Sequence, residues 1–113
     1  DSLCIKDMAG LLVPNEATRL VTALKQATDI PIELHTHYTS GVGGMTYLKA
    51  VEAGVDIIDT AISPFAMGTS QPATEVMAET FRGTEFDTGF DQKLLGEMQT
   101  ISAQYVRNIW QMV

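Results

Sequence analysis

Residues 32–37 read Ile32-Glu33-Leu34-His35-Thr36-His37, and the reading of this stretch decides the fold. Pro31 stands directly before it, where a strand can begin, and the turn-forming Thr39-Ser40-Gly41 comes just after. The β-compatible run predicts a strand over 32–35. Side chains two residues apart on a strand share a face, so His35 and His37 project together from its end. They are the only 2 histidines in the chain. Two imidazoles on one face make half of a metal site. A pair of half-buried surface histidines is the plainer reading of the spacing alone.

Working outward, the same alternation of strand and helix recurs. Residues 2–5 read as a short buried strand ending in Lys6-Asp7 and the small-residue turn Met8-Ala9-Gly10. Pro14-Asn15-Glu16 opens a helix to about Thr28, because proline is tolerated in a first turn and acids suit a helix N-terminus. Ala17, Leu20, Val21 and Leu24 recur at its helical spacing. A second helix is predicted over 42–53 with Met45, Leu48 and Val51 as its apolar stripe, Val55 just beyond it as a further member, and Gly54 as its stop. Residues 55–62 form the third strand, 63–70 a loop, and Gln71-Pro72-Ala73-Thr74-Glu75 starts a third helix whose body holds Val76, Met77, Thr80 and Phe81. Residues 83–89 are irregular, with room for a short strand near Glu85-Phe86. Asp91 caps a last helix with Leu94, Leu95, Met98, Ile101, Tyr105, Ile109 and Met112 on one side, as core or as interface, and with Trp110 exposed.

Apolar strands alternating with amphipathic helices imply a parallel sheet covered on its faces. Half of a doubly wound sheet and consecutive units of a (β/α)8 TIM barrel both satisfy this. The polar strand ends Lys6-Asp7, His35 with His37, and Asp59-Thr60 favour the barrel, whose active sites sit at the C-terminal ends of its strands. A complete barrel takes roughly 250 residues, so 113 residues carry less than half of one. The chain starts without methionine directly before a strand, which reads as a piece of a longer protein.

Composition narrows the class. The 45% hydrophobic content suits one small globular unit. A net charge of −7 argues against a nucleic-acid surface, which needs a basic patch, and against an anionic membrane. One cysteine allows neither an internal disulfide nor a cysteine-based metal motif, and fits a reducing, cytoplasmic setting. No apolar run is long enough for a membrane span, and no signal peptide is visible.

Several residues carry chemistry. Lys6 follows an apolar strand and is expected to face the mouth. A desolvated lysine beside a cation loses basicity and reacts with carbon dioxide to give a carbamate, an anionic oxygen ligand. An ion pair with Asp7 is the simpler role, and Asp7 is then either that partner, a support for a ligand, or a turn cap. Cys4 reads as core. Thr69-Ser70-Gln71-Pro72 lies between the third strand and the third helix, where a hydroxyl faces the mouth or caps the helix, and the helix start is a place for an anion. Met67-Gly68 gives this loop room to approach a ligand. Of Asp56 and Asp59, one is expected at the mouth and the other at a solvated strand start.

Three stretches carry a resemblance: Ser2-Leu3-Cys4-Ile5-Lys6-Asp7-Met8-Ala9-Gly10-Leu11-Leu12, Glu33-Leu34-His35-Thr36-His37, and residues 59–75, which read Asp-Thr-Ala-Ile-Ser-Pro-Phe-Ala-Met-Gly-Thr-Ser-Gln-Pro-Ala-Thr-Glu. Together they resemble the carboxyltransferase domain of biotin-dependent enzymes, the group of pyruvate carboxylase, the oxaloacetate decarboxylase alpha chain and the transcarboxylase subunit. The likeness covers about residues 1–92. His-x-His alone also fits hydroxymethylglutaryl-CoA lyase and isopropylmalate synthase, which lack the lysine motif.

The resemblance implies a TIM barrel with a divalent metal at its mouth, zinc first, with manganese or cobalt acceptable to the same ligands. It implies residues 1–90 as C-terminal strand–helix units of that barrel, and 91–113 as a helix packing on it or starting a following helical region. It makes Lys6, as its carbamate, and His35 and His37 the metal ligands. It makes Thr69 the residue that moves a proton between biotin and the enol of pyruvate. The family's remaining aspartate ligand and its substrate-binding arginine have no counterpart here. The implied activity is carboxyl transfer between oxaloacetate or pyruvate and biotin, with a biotin carrier domain, a homodimeric parent, and a biotin carboxylase or membrane decarboxylase subunits as partners. An acyl-CoA lyase or synthase, or a non-catalytic fragment, are the alternatives, and the isolated piece is expected to be inactive.

Overall fold

The computed structural model describes residues 1–112. Three strands, β1 (Leu3–Asp7), β2 (Ile32–Thr36) and β3 (Ile57–Ile58), form a sheet in the order β1-β2-β3. All pairs are parallel, with Lys6 opposite His35, Asp7 opposite Thr36, and Leu34 opposite Ile58. Helices α1 (Pro14–Ala27), α2 (Gly43–Glu52) and α3 (Thr74–Phe81) follow the strands in turn, and α4 (Gln92–Gln111) ends the described chain. Parallel neighbours need such crossovers, and the alternation that the sequence predicts is the one observed.

The register sorts every strand residue onto one of two faces. Ile32 and Leu34, fully buried, join Ala17, Val21, Tyr47, Ala50, Val55, Met77 and Phe81 in a single core, with Leu3, Ile5 and Ile58 packed against it. The opposite face carries Cys4 and Lys6 of β1, Glu33 and His35 of β2, and Ile57 of β3, all exposed or half-buried. One side of the sheet is thus covered by helices, and the other is polar and open.

Several expectations are corrected. Cys4 is exposed rather than core, because alternation along β1 puts Leu3 and Ile5 on the helix side and Cys4 with Lys6 on the open side. Partial burial and the adjacent Glu33 carboxylate push its thiol above its ordinary pKa, which makes it a poor nucleophile. The strand predicted over 55–62 is regular only at Ile57–Ile58, with an isolated bridge between Ala61 and Ala73 further on. That bridge keeps residues 71–73 extended, so α3 starts at Thr74 with Ala73 before it, and neither Thr69 nor Ser70 caps it. No strand forms near Glu85-Phe86. Gly83 takes φ +76 and Asp87 accepts from the Gly83 and Gly89 N–H groups, giving a closed loop whose Phe86 ring packs edge-on against Phe81.

Of the stripe expected on helix α2, Leu48 and Val51 pack against the core and Val55 is buried in it, but Met45 is not, and the fully buried positions are others. Gly43, Thr46, Tyr47 and Ala50 face inward, while Met45 is 56% exposed. Small residues let the helix sit close, since a Cβ on Gly43 would stand 3.1 Å from the Tyr38 ring and 3.3 Å from Pro72. In α1, Ala17 and Val21 are buried as expected, and Leu20 is exposed. Asp91 caps α4 as predicted, accepting from the N–H groups of Lys93 and Leu94. Of the stripe expected to be core or interface, only Leu95 is buried. Val113, the end of the expected 91–113 unit, lies outside the described residues.

Candidate metal centre

The C-terminal end of β2 and the 63–73 loop bring His35, His37 and Gln71 to one point, with Asp59, just past β3, behind His35. His35 and His37 stand where the spacing puts them, with ring centroids 5.2 Å apart. Their outer nitrogens are both occupied. His35 Nδ1 lies 2.7 Å from Asp59 Oδ2, and His37 Nδ1 meets the backbone carbonyl of Thr69. A carboxylate and a carbonyl only accept, so each Nδ1 carries the proton. That leaves both Nε2 lone pairs facing inward, and the two Nε2 atoms are 3.4 Å apart. Two nitrogens on one tetrahedral zinc, each bonded at the usual length, would be separated by about 3.3 Å. The pair fits a single ion, and an outer hydrogen bond on each ring is what holds a metal-binding imidazole in orientation.

Gln71 completes the cluster. Its Nε2 lies 3.4 Å from His35 Nε2 and 3.3 Å from His37 Nε2, while its Oε1 accepts from Ser70 Oγ. The carboxamide thus occupies the place at which the two lone pairs meet. Lys6 is opposite His35 in the sheet register, on the same open face, and exposed. Among the described residues no cluster of three His, Cys, Asp or Glu side chains meets at one point.

Two buttresses hold this arrangement. The first is the loop after β1. Asp7 does not pair with Lys6, because neighbours along a strand point to opposite faces. Its carboxylate accepts from Leu11 N–H at 3.0 Å, Leu12 N–H at 2.9 Å and the Thr36 hydroxyl at 2.7 Å. Burial pushes this carboxyl upward. The Leu12, Thr36, Leu11 and Ala9 hydrogen bonds together outweigh that and hold it below its ordinary value. The loop so fastened carries Gly10 against His37, where an added Cβ would sit 2.5 Å from the His37 carbonyl oxygen, and Gly10 has φ +69. The second buttress is the 63–73 loop. Met67 and Gly68 both take positive φ, and bonds from Met67 N–H to Gln71 O, Ser70 N–H to Met67 O and Tyr38 N–H to Ser70 O close it. This turn aims the Thr69 carbonyl at His37, whereas the exposed Thr69 hydroxyl makes no hydrogen bond with the described residues.

The two aspartates separate as expected. Asp59 is the mouth residue. Asp56 sits at the strand start, accepting from Ile32 N–H and from Lys25 Nζ, and these two bonds lower its pKa. The sequence reading missed Gln71, the Gly10 contact and Tyr47. For Asp59, the signal was its two-residue step from Ile57 along β3. For Gln71 and Gly10, no pattern in one sequence gives contacts across more than 25 positions.

Residues 2–101 match the family described as HMGL-like, and the chain belongs to that family. A pyruvate carboxylase subunit of Methanocaldococcus jannaschii is 59% identical over 99 residues, 88% of this chain and 18% of that protein. The 2-oxoglutarate carboxylase large subunit of Hydrogenobacter thermophilus is 42% identical over 106 residues, 92% of this chain and 16% of that protein. The carboxyl transferase domain from Rhizobium etli pyruvate carboxylase, solved with pyruvate, superposes with a TM-score of 0.89 at 43% identity, over 95% of this chain and 18% of that one. The chain thus spans under a fifth of the length of the relatives it matches. Its parallel strand–helix units are an arc of the TIM barrel.

Proposed function

We propose that this chain forms the metal-binding wall of a carboxyltransferase site that moves a carboxyl group between a 2-oxo acid, pyruvate first, and biotin. The observation that carries the proposal is the pair of inward Nε2 atoms on His35 and His37, each ring fixed by an acceptor on its far side. The relatives support the reaction: one is a pyruvate carboxylase subunit, one a 2-oxoglutarate carboxylase, and the Rhizobium etli domain is solved with pyruvate.

His35, His37 and Lys6 would hold a divalent ion, zinc by the bite of the two nitrogens, with manganese or cobalt within reach of the same ligands. Such an ion supplies a Lewis acid for the ketone oxygen, where charge develops as the enolate forms. Lys6 joins by a chemistry that the resemblance implies and that a bound cation beside it would favour. Its neutral Nζ adds to the carbon of carbon dioxide, an N–H proton leaves to solvent, and a carbamate oxygen anion faces the histidines. Asp59 and the Thr69 carbonyl keep both Nδ1 atoms protonated, so neither Nε2 lone pair is lost to the wrong tautomer. Gln71 offers an amide beside the same point. For Thr69, the hydroxyl's part as proton carrier between biotin's ureido nitrogen and the enol rests on the resemblance. The carbonyl's part rests on the geometry.

A biotin carrier domain, a second copy of the parent, and a carboxylase or membrane decarboxylase partner that sets direction belong to the same proposal. The test is metal content, together with crystallographic density at Lys6, in the complete protein. The expected result is one divalent ion per chain on His35 and His37 with a carbamate on Lys6, and loss of oxaloacetate–pyruvate exchange in a folded Lys6→Ala variant. Normal exchange by that variant removes the carbamate. An ion on the histidines with a bare, distant Lys6 favours a lyase or synthase of the same family instead.

A further inference from the structure

We propose that Tyr47, a residue of α2 that contributes no atom to the cluster, is a positioning residue for the metal centre. It sets both histidines through one buried hydroxyl. This inference rests on the metal-centre reading above and extends it to a helix on the other face of the sheet.

Tyr47 is the largest fully buried side chain among the described residues. Its hydroxyl donates to the Asp59 carbonyl at 2.6 Å and accepts from the Thr36 N–H at 3.0 Å. Thr36 is the residue between His35 and His37, and Asp59 is the residue whose carboxylate holds His35 Nδ1. One oxygen therefore ties the peptide linking the two ligands to the backbone of the residue that orients one of them. This bond stands where regular pairing ends: Asp59 N–H still reaches Leu34 O, and β3 is regular only to Ile58. Without a ladder beyond that point, the Tyr47 hydroxyl ties the main chains of the two ends together, beside the His35–Asp59 side-chain bond, and keeps them at a fixed spacing. Burial pushes the phenol up to about 12, so it remains a donor across the working pH range.

Phenylalanine at 47 fills the same volume and removes only the oxygen. It leaves the buried Thr36 N–H and the half-buried Asp59 carbonyl without this partner, and the adjustment that relieves them has to move Thr36 or Asp59. Supporting residues of metal sites change affinity about 10- to 100-fold when lost.

The experiment compares wild type, Tyr47→Phe and the core control Val21→Ala in the complete protein. Cobalt(II) affinity is read by chelator competition, ligand geometry by the visible cobalt spectrum, and the fold by circular dichroism. The expected result is a drop of about 10- to 100-fold in affinity with a changed spectrum for Tyr47→Phe, and neither change for Val21→Ala. Wild-type affinity and spectrum in Tyr47→Phe overturn the inference, as does an equal loss in Val21→Ala. If Tyr47→Phe does not accumulate folded, 4-aminophenylalanine at this position keeps the bond to the Asp59 carbonyl and loses the one from the Thr36 N–H; a smaller but measurable drop in affinity is then expected, and wild-type affinity and spectrum overturn the inference. If wild type binds no cobalt, the metal-centre reading fails and the inference with it. Binding by wild type with no Tyr47 effect leaves that reading standing and removes only the inference.

Discussion

The mouth at the ends of β2 and β3 and the helix α4 are built on opposite principles. At the mouth, direction is fixed atom by atom: His35, His37, Asp59 and Tyr47 each have named hydrogen-bond partners. Helix α4 is the longest element, at 20 residues, and buries one of them, Leu95. Leu94, Met98, Ile101, Tyr105 and Ile109 form an apolar stripe open to solvent among the described residues. The mouth loses function through displacements of a fraction of an ångström, because converging lone pairs have to meet one point. The stripe has no geometry to lose. It has only area, and area matters in proportion to what covers it.

The largest expected effect of a single methyl group follows from this contrast. Gly10→Ala puts a Cβ into the His37 carbonyl oxygen and asks alanine to hold φ +69. The backbone angle alone costs about 1–2 kcal/mol, before the collision is relieved. Relief has to come from the β1–α1 loop or from His37, because the obstacle is main chain. The expected outcome is a lower unfolding midpoint together with a loss of about 10- to 100-fold in metal affinity. Chemical denaturation and chelator competition on the complete protein read the two. Unchanged metal affinity would show that the loop moves instead of the ligand.

A smaller effect is expected one step further from the imidazoles. Asp7→Asn keeps the shape but turns an acceptor-only group into one with an NH2, which has to face Leu11 N–H, Leu12 N–H or the Thr36 hydroxyl. The cost is about 2 kcal/mol at neutral pH. The sign with pH follows from the lowered Asp7 pKa. A carboxylate depressed on folding stabilises fully above its unfolded value near 4, and this contribution is lost as pH falls through the folded value. Thermal melts of both proteins should therefore differ most at pH 7 and converge below about pH 4. A difference that stays constant down to pH 3 would assign the effect to shape alone.

How much of this was legible in the sequence depends on distance along the chain. The strand carrying His35 and His37, the shared face and the cap at Asp91 are local, and they stand in the structure where the periodicity puts them. The start of α3 was misread because Pro72 is a helix-start residue by local rule, while the Ala61–Ala73 bridge keeps it extended. Cys4 was misread because apolar residue type says nothing about which face of a strand is covered. In the α2 stripe Met45 was misread, because it ranks as apolar and Gly43 does not, although close packing selects the small residue. The site followed the same rule. Its two histidines are neighbours and were found. Gln71 and Tyr47 reach it from other elements, and one sequence carries no period linking residue 47 to residue 59 or 71 to 35.

The smallest effect is expected on α4, and it tests the other half of the comparison. Ile101 is 71% exposed, so Ile101→Gln removes little packing against the described residues. Glutamine also has good helix propensity, which leaves the helix itself intact. Stability should change by no more than about 0.5 kcal/mol, and metal affinity should stay within about twofold, because the side chain touches neither β2 nor the 63–73 loop. Denaturation midpoints and cobalt titration on the complete protein check both. A loss of about 2 kcal/mol or more, the range for a buried isoleucine, would mean that a surface outside the described residues covers the stripe. If metal affinity fell as well, that surface would be coupled to the mouth, and the two regions would no longer be independent. Fixed geometry would then depend on covered area, and the division between them would have to be redrawn at α3, the element that contacts α4.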